Sequence, residues 1–186
     1  MQAADEFMPL DGQFRDNVII QIKNGPIDFQ PREPFSPLFG LMDRTKMMVE
    51  VQVTQEYLGH SNHLVYLHPM WKECLDSDTY MKGEGSTVAA ITEGKFHNYS
   101  VSAIAGVANI GDSVNWCGHH FAQANWYAFG RMAWNPELTS EQIADEWIRM
   151  TFTDNPKFLN PVKEMMLASR ENTVHYEMPM GIHHAF

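Results

Sequence analysis

Hydrophobic and polar positions alternate most cleanly over residues 47–54. Val49, Val51 and Val53 fall on one side and Glu50, Gln52 and Thr54 on the other, a period of two that predicts a strand. Residues 17–23 repeat the pattern, with Val18, Ile20 and Ile22 set against Ile19, Gln21 and Lys23. A third run, 101–110 (VSAIAGVANI), is apolar and built of small residues. It predicts a strand buried on both faces.

Helical signals lie between and after these strands. Residues 69–75 open with Pro69, in the first turn, where a missing N–H costs nothing. Residues 119–134 are apolar nearly all round (Phe121, Ala122, Ala124, Trp126, Ala128, Phe129, Met132), which predicts a buried helix stopped by Asn135-Pro136. Thr139 and Gln142 have the spacing of a capping box, ahead of a helix that turns Ile143, Trp147 and Ile148 inward. Asn155-Pro156 is expected to end that helix, and Asn160-Pro161 to start another running toward Tyr176.

Strands interleaved with helices give an α/β class with parallel strands. No strand signal follows Asn135-Pro136, so residues 1–135 and 136–186 read as two domains. Three parallel strands cannot close a barrel, and a covered three-stranded sheet is small for 186 residues. The chain reads as part of something larger, and its open strand edges predict self-association or loose packing when it is alone.

Composition narrows the function. Thirteen basic against 23 acidic residues leave a formal charge of −10, which argues against a nucleic-acid groove. No run of about 18 apolar residues is present to span a membrane. The first ten residues carry two acidic side chains and no basic one, unlike a secretory signal. Either the protein stays inside the cell or this is not its true N-terminus, and cytoplasm and periplasm both stay open. Cys74 and Cys117 read as reduced, buried thiols. The histidine pairs His60/His63, His119/His120 and His183/His184 lack metal-ligand spacing, so neither a metal nor a cofactor is expected. The thirteen methionines read as core filling, and Gly83-Glu84-Gly85-Ser86-Thr87 as a turn.

In parallel α/β architectures chemistry gathers beyond the carboxyl ends of the strands. Each of the three loops there carries an acidic residue: Asp28, Glu56 and Asp112. Asp28 and Glu56 could supply the carboxylate half of a glycosidase pair, or they could solvate loops and cap helices. Lys23, the last residue of its strand, either reaches solvent or meets an anionic substrate group. Trp116 either stacks on a sugar ring or anchors its loop.

The strings themselves are more specific. IIQIKNGPIDFQPREPFSPLFG, VEVQVTQEYLG, HLVYLHPMWKECLDSDTY and IAGVANIGDSVNW, followed by HHFAQANWYAFGRMAWNPELTSEQIADEWIRMTF, resemble the α-glucuronidases of glycoside hydrolase family 67. The resemblance runs from about Asp11 to the C-terminus. It implies an inverting enzyme that releases glucuronic acid, or its 4-O-methyl ether, from xylan-derived oligosaccharides. It implies the C-terminal portion of a (β/α)8 barrel followed by the start of an α-helical domain. By motif, Asp28 (GPIDFQ) and Glu56 (TQEY) match the carboxylates on the water side of the sugar. Lys23 (IQIKNG) matches a residue that binds the uronic acid carboxylate, and a lysine there would favour an ionised Asp28. Asp112 and Trp116 lie in a family motif and stand as pocket residues.

The resemblance also implies an absence. The family's general acid is a glutamate that precedes the part present here, so a missing N-terminal portion of the enzyme becomes an expected partner. The substrate partner is a glucuronic-acid-substituted xylo-oligosaccharide, and the complete enzyme is compatible with a homodimer. Without the acid, the chain alone is expected to be inactive or nearly so. The alternative is a catalytically dead remnant that binds acidic xylo-oligosaccharides.

Overall fold

The computed structural model describes residues 2–60, 62–97, 99–116 and 118–178. It is a mixed α/β chain with the order α1 (Gln2–Phe7), a 3-10 turn (Met8–Leu10), β1 (Ile20–Lys23), α2 (Leu38–Leu41), β2 (Met47–Gln52), α3 (His68–Asp76), α4 (Val88–Thr92), β3 (Ile104–Val107), α5 (His120–Trp134), α6 (Ser140–Thr151) and α7 (Pro156–Glu177). It divides into two compact units. One comprises Met1–Phe29, Glu33–Val51 and Glu73–Gly106; the other comprises Gln30–Arg32, Gln52–Lys72 and Val107–Phe186.

The first unit holds the sheet, apart from the last residues of β2 and β3. Strand order is β1-β2-β3. β1 and β2 run parallel, with Ile22 opposite Val49 and Lys23 opposite Glu50. The alternation read from the sequence is realised in β2, where Met47, Val49 and Val51 are buried and Met48 and Glu50 are half-buried. Burying each such side chain favours folding by about 1.5–3 kcal/mol. On the other face, Gln21 Nε2 donates to Glu50 Oε2 at 2.6 Å. Cys74 is a buried free thiol whose pKa is pushed up to about 12 by loss of solvent; Cys117 lies outside the described residues.

Three strand expectations are corrected. β1 starts at Ile20 rather than residue 17, and β2 stops at Gln52 rather than Thr54. β3 is only four residues long and is not buried on both faces: Ile104, Ala105 and Val107 are half-buried and Gly106 is exposed. Burial on both faces requires a layer packed over each face of the sheet, and small apolar side chains do not by themselves supply one.

The glycine-rich segment 83–87 is a turn, as expected, with Gly83 and Gly85 at φ of +95° and +90°. The sequence reading missed α4, which follows it. Thr87 caps this helix by accepting from Ala90 N at 3.1 Å.

The second unit is mainly helical. The Thr139–Gln142 capping box forms in both directions, and Ile143, Trp147 and Ile148 are buried on the inner face of α6. α5 is buried along one stripe only (Ala122, Ala124, Asn125, Ala128, Met132), whereas Trp134 is exposed. The expected full burial therefore fails. The larger rings sit at the margins of the stripe, and the small side chains allow the close approach. α6 ends at Thr151, and α7 starts from an Asn155 cap with Pro156 in its first turn, not from Asn160. Pro161 lies inside α7, where the long helix tolerates one lost backbone bond.

Phe152, at the end of α6, meets Trp147 edge-on and Phe158 at a tilt, with ring centroids 5.5 Å apart in both pairs. Such pairs contribute about 0.5–1.5 kcal/mol beyond area burial. Among the described residues, no helix is long and apolar enough to cross a membrane.

Candidate active site

Two strand-end loops carry the candidate carboxylates, and each is built by local chemistry. In the first unit, Asn24 N continues the β1–β2 ladder by donating to Glu50 O at 2.9 Å, and Asn24 O accepts from Ser36 N at 2.9 Å. The chain then turns at Gly25, where an added Cβ would stand 2.0 Å from Glu33 Cδ. Only glycine admits that approach. Glu33 uses it to accept from Ile27 N at 2.8 Å through Oε2.

The turn returns Asp28 to the end of β1, where its carboxylate pairs with the Lys23 ammonium. Both side chains are 42% exposed, so the pair is open to solvent and to a ligand. Phe29 follows at φ +54°, a left-handed conformation that costs a non-glycine residue about 1–3 kcal/mol and clusters at functional sites. Its ring is buried, with Lys23 Nζ 4.8 Å from the centroid. That cation–π contact helps fix the ammonium.

In the second unit, Glu56 lies four residues beyond the end of β2. Its Oε2 accepts from Gln52 Nε2 at 2.6 Å and from Asn109 Nδ2 at 2.5 Å. Val53 N donates to Val107 O at 2.8 Å and Asn109 N donates to Thr54 Oγ1 at 3.0 Å, which ties the β2 extension to the last residue of β3 and the segment after it. Gln55 is buried and donates to His63 O at 2.7 Å. His63 Nε2 in turn meets the Tyr176 hydroxyl at 2.9 Å. Sequence reasoning did not single out Gln52 or Asn109. The available signal was their position, at and just past the ends of strands that carry acidic loops.

Trp116 is not a buried anchor. It is 43% exposed at φ +45°, with its ring 5.9 Å from that of Trp126. With Ile110, Ser113 and Val114 these rings line a cavity of about 210 Å³. Asp112 is exposed on the turn before it. Of the expected site residues, the structure joins Lys23 with Asp28 in one unit. Glu56, Asp112 and Trp116 belong to the other. The histidines have separate tasks: His119 Nδ1 caps α5 by accepting from Ala122 N at 3.2 Å, and His183 and His184 lie outside the described residues.

The segment that follows Asp28 is gripped in the second unit. Arg170 of α7 is buried, and its Nε and Nη2 donate to Pro31 O at 3.2 and 3.1 Å. Its Nη1 donates to Glu171 Oε1 at 2.5 Å, and Glu171 also pairs with Arg32. α7 further holds the backbone of Tyr66, whose N donates to Ser169 Oγ at 2.8 Å.

Comparison with known proteins assigns these loops to a lineage. Residues 1–116 match the glycosyl hydrolase family 67 middle domain, and residues 117–186 match the family 67 C-terminus. The chain is 48% identical over 180 residues to alpha-glucuronidase A of Emericella nidulans and 47% identical over 178 residues to the probable alpha-glucuronidase A of Aspergillus flavus. These alignments cover 97% and 96% of the chain and 21% of each relative, so it spans about a fifth of the length of the curated proteins it matches. With both of its parts matched by consecutive models and both carboxylate loops inside the first, the chain belongs to glycosyl hydrolase family 67.

Proposed function

We propose that this chain is the water-side portion of an inverting α-glucuronidase acting on glucuronic-acid-substituted xylo-oligosaccharides. The observation that carries the reading is the Lys23–Asp28 pair, half-exposed on a loop that Gly25 and Glu33 hold closed. A lysine at a strand end, steadied by an aromatic ring and open to solvent, suits a uronate carboxylate. A carboxylate beside it suits the water face of the same sugar.

In this reading Lys23 binds the uronate. Asp28 and Glu56 orient the attacking water, and one of them takes its proton as the C–O bond to xylose breaks. The leaving oxygen receives a proton from a general acid roughly 6.5–9.5 Å from the base, supplied by family sequence outside this chain. Trp116 and Asp112 contribute to the sugar pocket. Residues 1–135 form the last part of a (β/α)8 barrel and residues 136–186 the start of an α-helical domain. In this reading the helical domain starts just after Asn135, which ends α5 ahead of α6 and α7.

The test is an assay on aldouronic oligosaccharides. The chain is measured alone and as a hybrid in which it replaces its counterpart in the Emericella nidulans relative. Turnover by the hybrid, with inverted product and little or no turnover by the chain alone, is the expected result. Ordinary turnover by the chain alone would overturn the missing-acid reading. An inactive hybrid that still binds the oligosaccharide would identify a binding remnant.

A further inference from the structure

The geometry points to Gln52 and Asn109 as positioning residues for the Glu56 carboxylate, a role that rests on the reading of Glu56 as a water-activating group. Gln52 is the buried last residue of β2, and Asn109 lies two residues beyond β3. Their side-chain amides come from different strands and donate to the same atom, Glu56 Oε2, at 2.6 and 2.5 Å. Oε1 carries no share of that hold. The carboxylate is thereby fixed in rotation, with one oxygen engaged in the protein and the other the natural acceptor for a water proton.

The brace is itself braced. Asn109 cannot drift from Glu56 without breaking the bond from its own N–H to Thr54 Oγ1, two residues before Glu56. The Val53 N to Val107 O bond closes the same lacing one step earlier. Both donors are neutral, so they orient the carboxylate without adding a charge beside it. A base needs a fixed direction toward its water, because misplacement by about 1 Å costs on the order of 100-fold in rate.

The experiment has two arms. In the hybrid enzyme, Asn109→Ala and Gln52→Ala are each expected to lower kcat by about 10- to 100-fold and leave KM within about twofold. In a Glu56→Ala background, Asn109→Ala should have no further effect, because residues acting as one unit are not additive. An equal loss in both backgrounds, or an unchanged kcat in the single variants, would overturn the proposal.

The second arm needs no activity. In the isotope-labelled chain, the side-chain amide proton resonances of Gln52 and Asn109 should both move upfield in Glu56→Ala. Unmoved resonances overturn the proposal whatever the kinetics. If the resonances move but Glu56→Ala keeps ordinary turnover, the brace exists while its catalytic purpose, and Glu56's role with it, is refuted.

Discussion

The two carboxylate loops are held by opposite means. Asp28 sits against a cation, with Lys23 at the end of the strand that feeds its loop and the turn closed by a glycine that admits Glu33. Glu56 sits against two neutral amides drawn from two strand ends. An ionic hold is strong at short range, is weakened by salt, and leaves a cation available to a competing anion. An amide hold is directional and indifferent to salt. The contrast teaches that two strand-end carboxylates of one chain can have their geometry set separately, one through charge and one through direction.

The largest test of that contrast is removal of each charged partner in the hybrid enzyme. Asp28→Ala is expected to cut turnover by about 10²–10⁴, the range of acid–base assistance. Lys23→Ala should instead raise KM by about 10- to 100-fold, the scale of a lost charge-assisted hydrogen bond. If Lys23→Ala lowered kcat alone, the assignment of Lys23 to uronate binding would fail.

The glycine tests the loop itself. Gly25→Ala places a methyl where the end of the flexible Glu33 side chain now stands, so Glu33 must swing away and give up its bond from Ile27 N, a loss of about 0.5–1.5 kcal/mol. Thermal melting should register the loss. The Gln52 and Asn109 amide resonances should stay put, because they belong to the other hold.

Thr139→Ala supplies a control away from both loops. It removes the acceptor for Gln142 N at 3.2 Å and should cost about 1 kcal/mol of stability, with kcat unchanged in the hybrid at a temperature where the variant is folded.

The smallest effect is acid titration of a charge-held pair outside the site. Arg131 donates to both oxygens of Glu146 at 2.8 and 3.0 Å and holds its carboxyl below its ordinary value of 4.5. A lowered folded-state value means a contribution that is present above about pH 4.5 and lost as pH falls through the lowered value. Melting temperature should therefore drop slightly more between pH 5 and 3, roughly the window for such a group, in the native chain than in Glu146→Gln. The effect is small because both side chains are more than a third exposed or close to it.

Much of this was readable in the letters. The alternation of Val49 and Val51 with Glu50 specified β2, and Thr139-x-x-Gln142 specified the start of α6, because both signals are local. Lys23 and Asp28 are five residues apart, so a turn could bring them together, and it does. What stayed hidden depends on distant partners. The exposure of β3 stayed hidden because burial on both faces needs layers packed over them, which residues 101–110 do not encode. The start of α7 was misplaced because Asn155-Pro156 and Asn160-Pro161 carry the same local signal, and the burial of Leu159 with the packing of Phe158 on Phe152 rewards the longer helix. Asn109 escaped notice because its partner is 53 residues away.

The grip of Arg170 on the Pro31 carbonyl has a consequence for synthesis. The partners are 139 residues apart, and a ribosome adding about 5–20 residues per second needs roughly 7–28 s to deliver the second after the first. During that interval the segment just behind Asp28 has its strand-end turn but not its clamp. The loop then closes at the entropic cost of a long-range contact. The clamp on Pro31 therefore forms only after α7 has emerged, whatever the state of the strand-end turn before it.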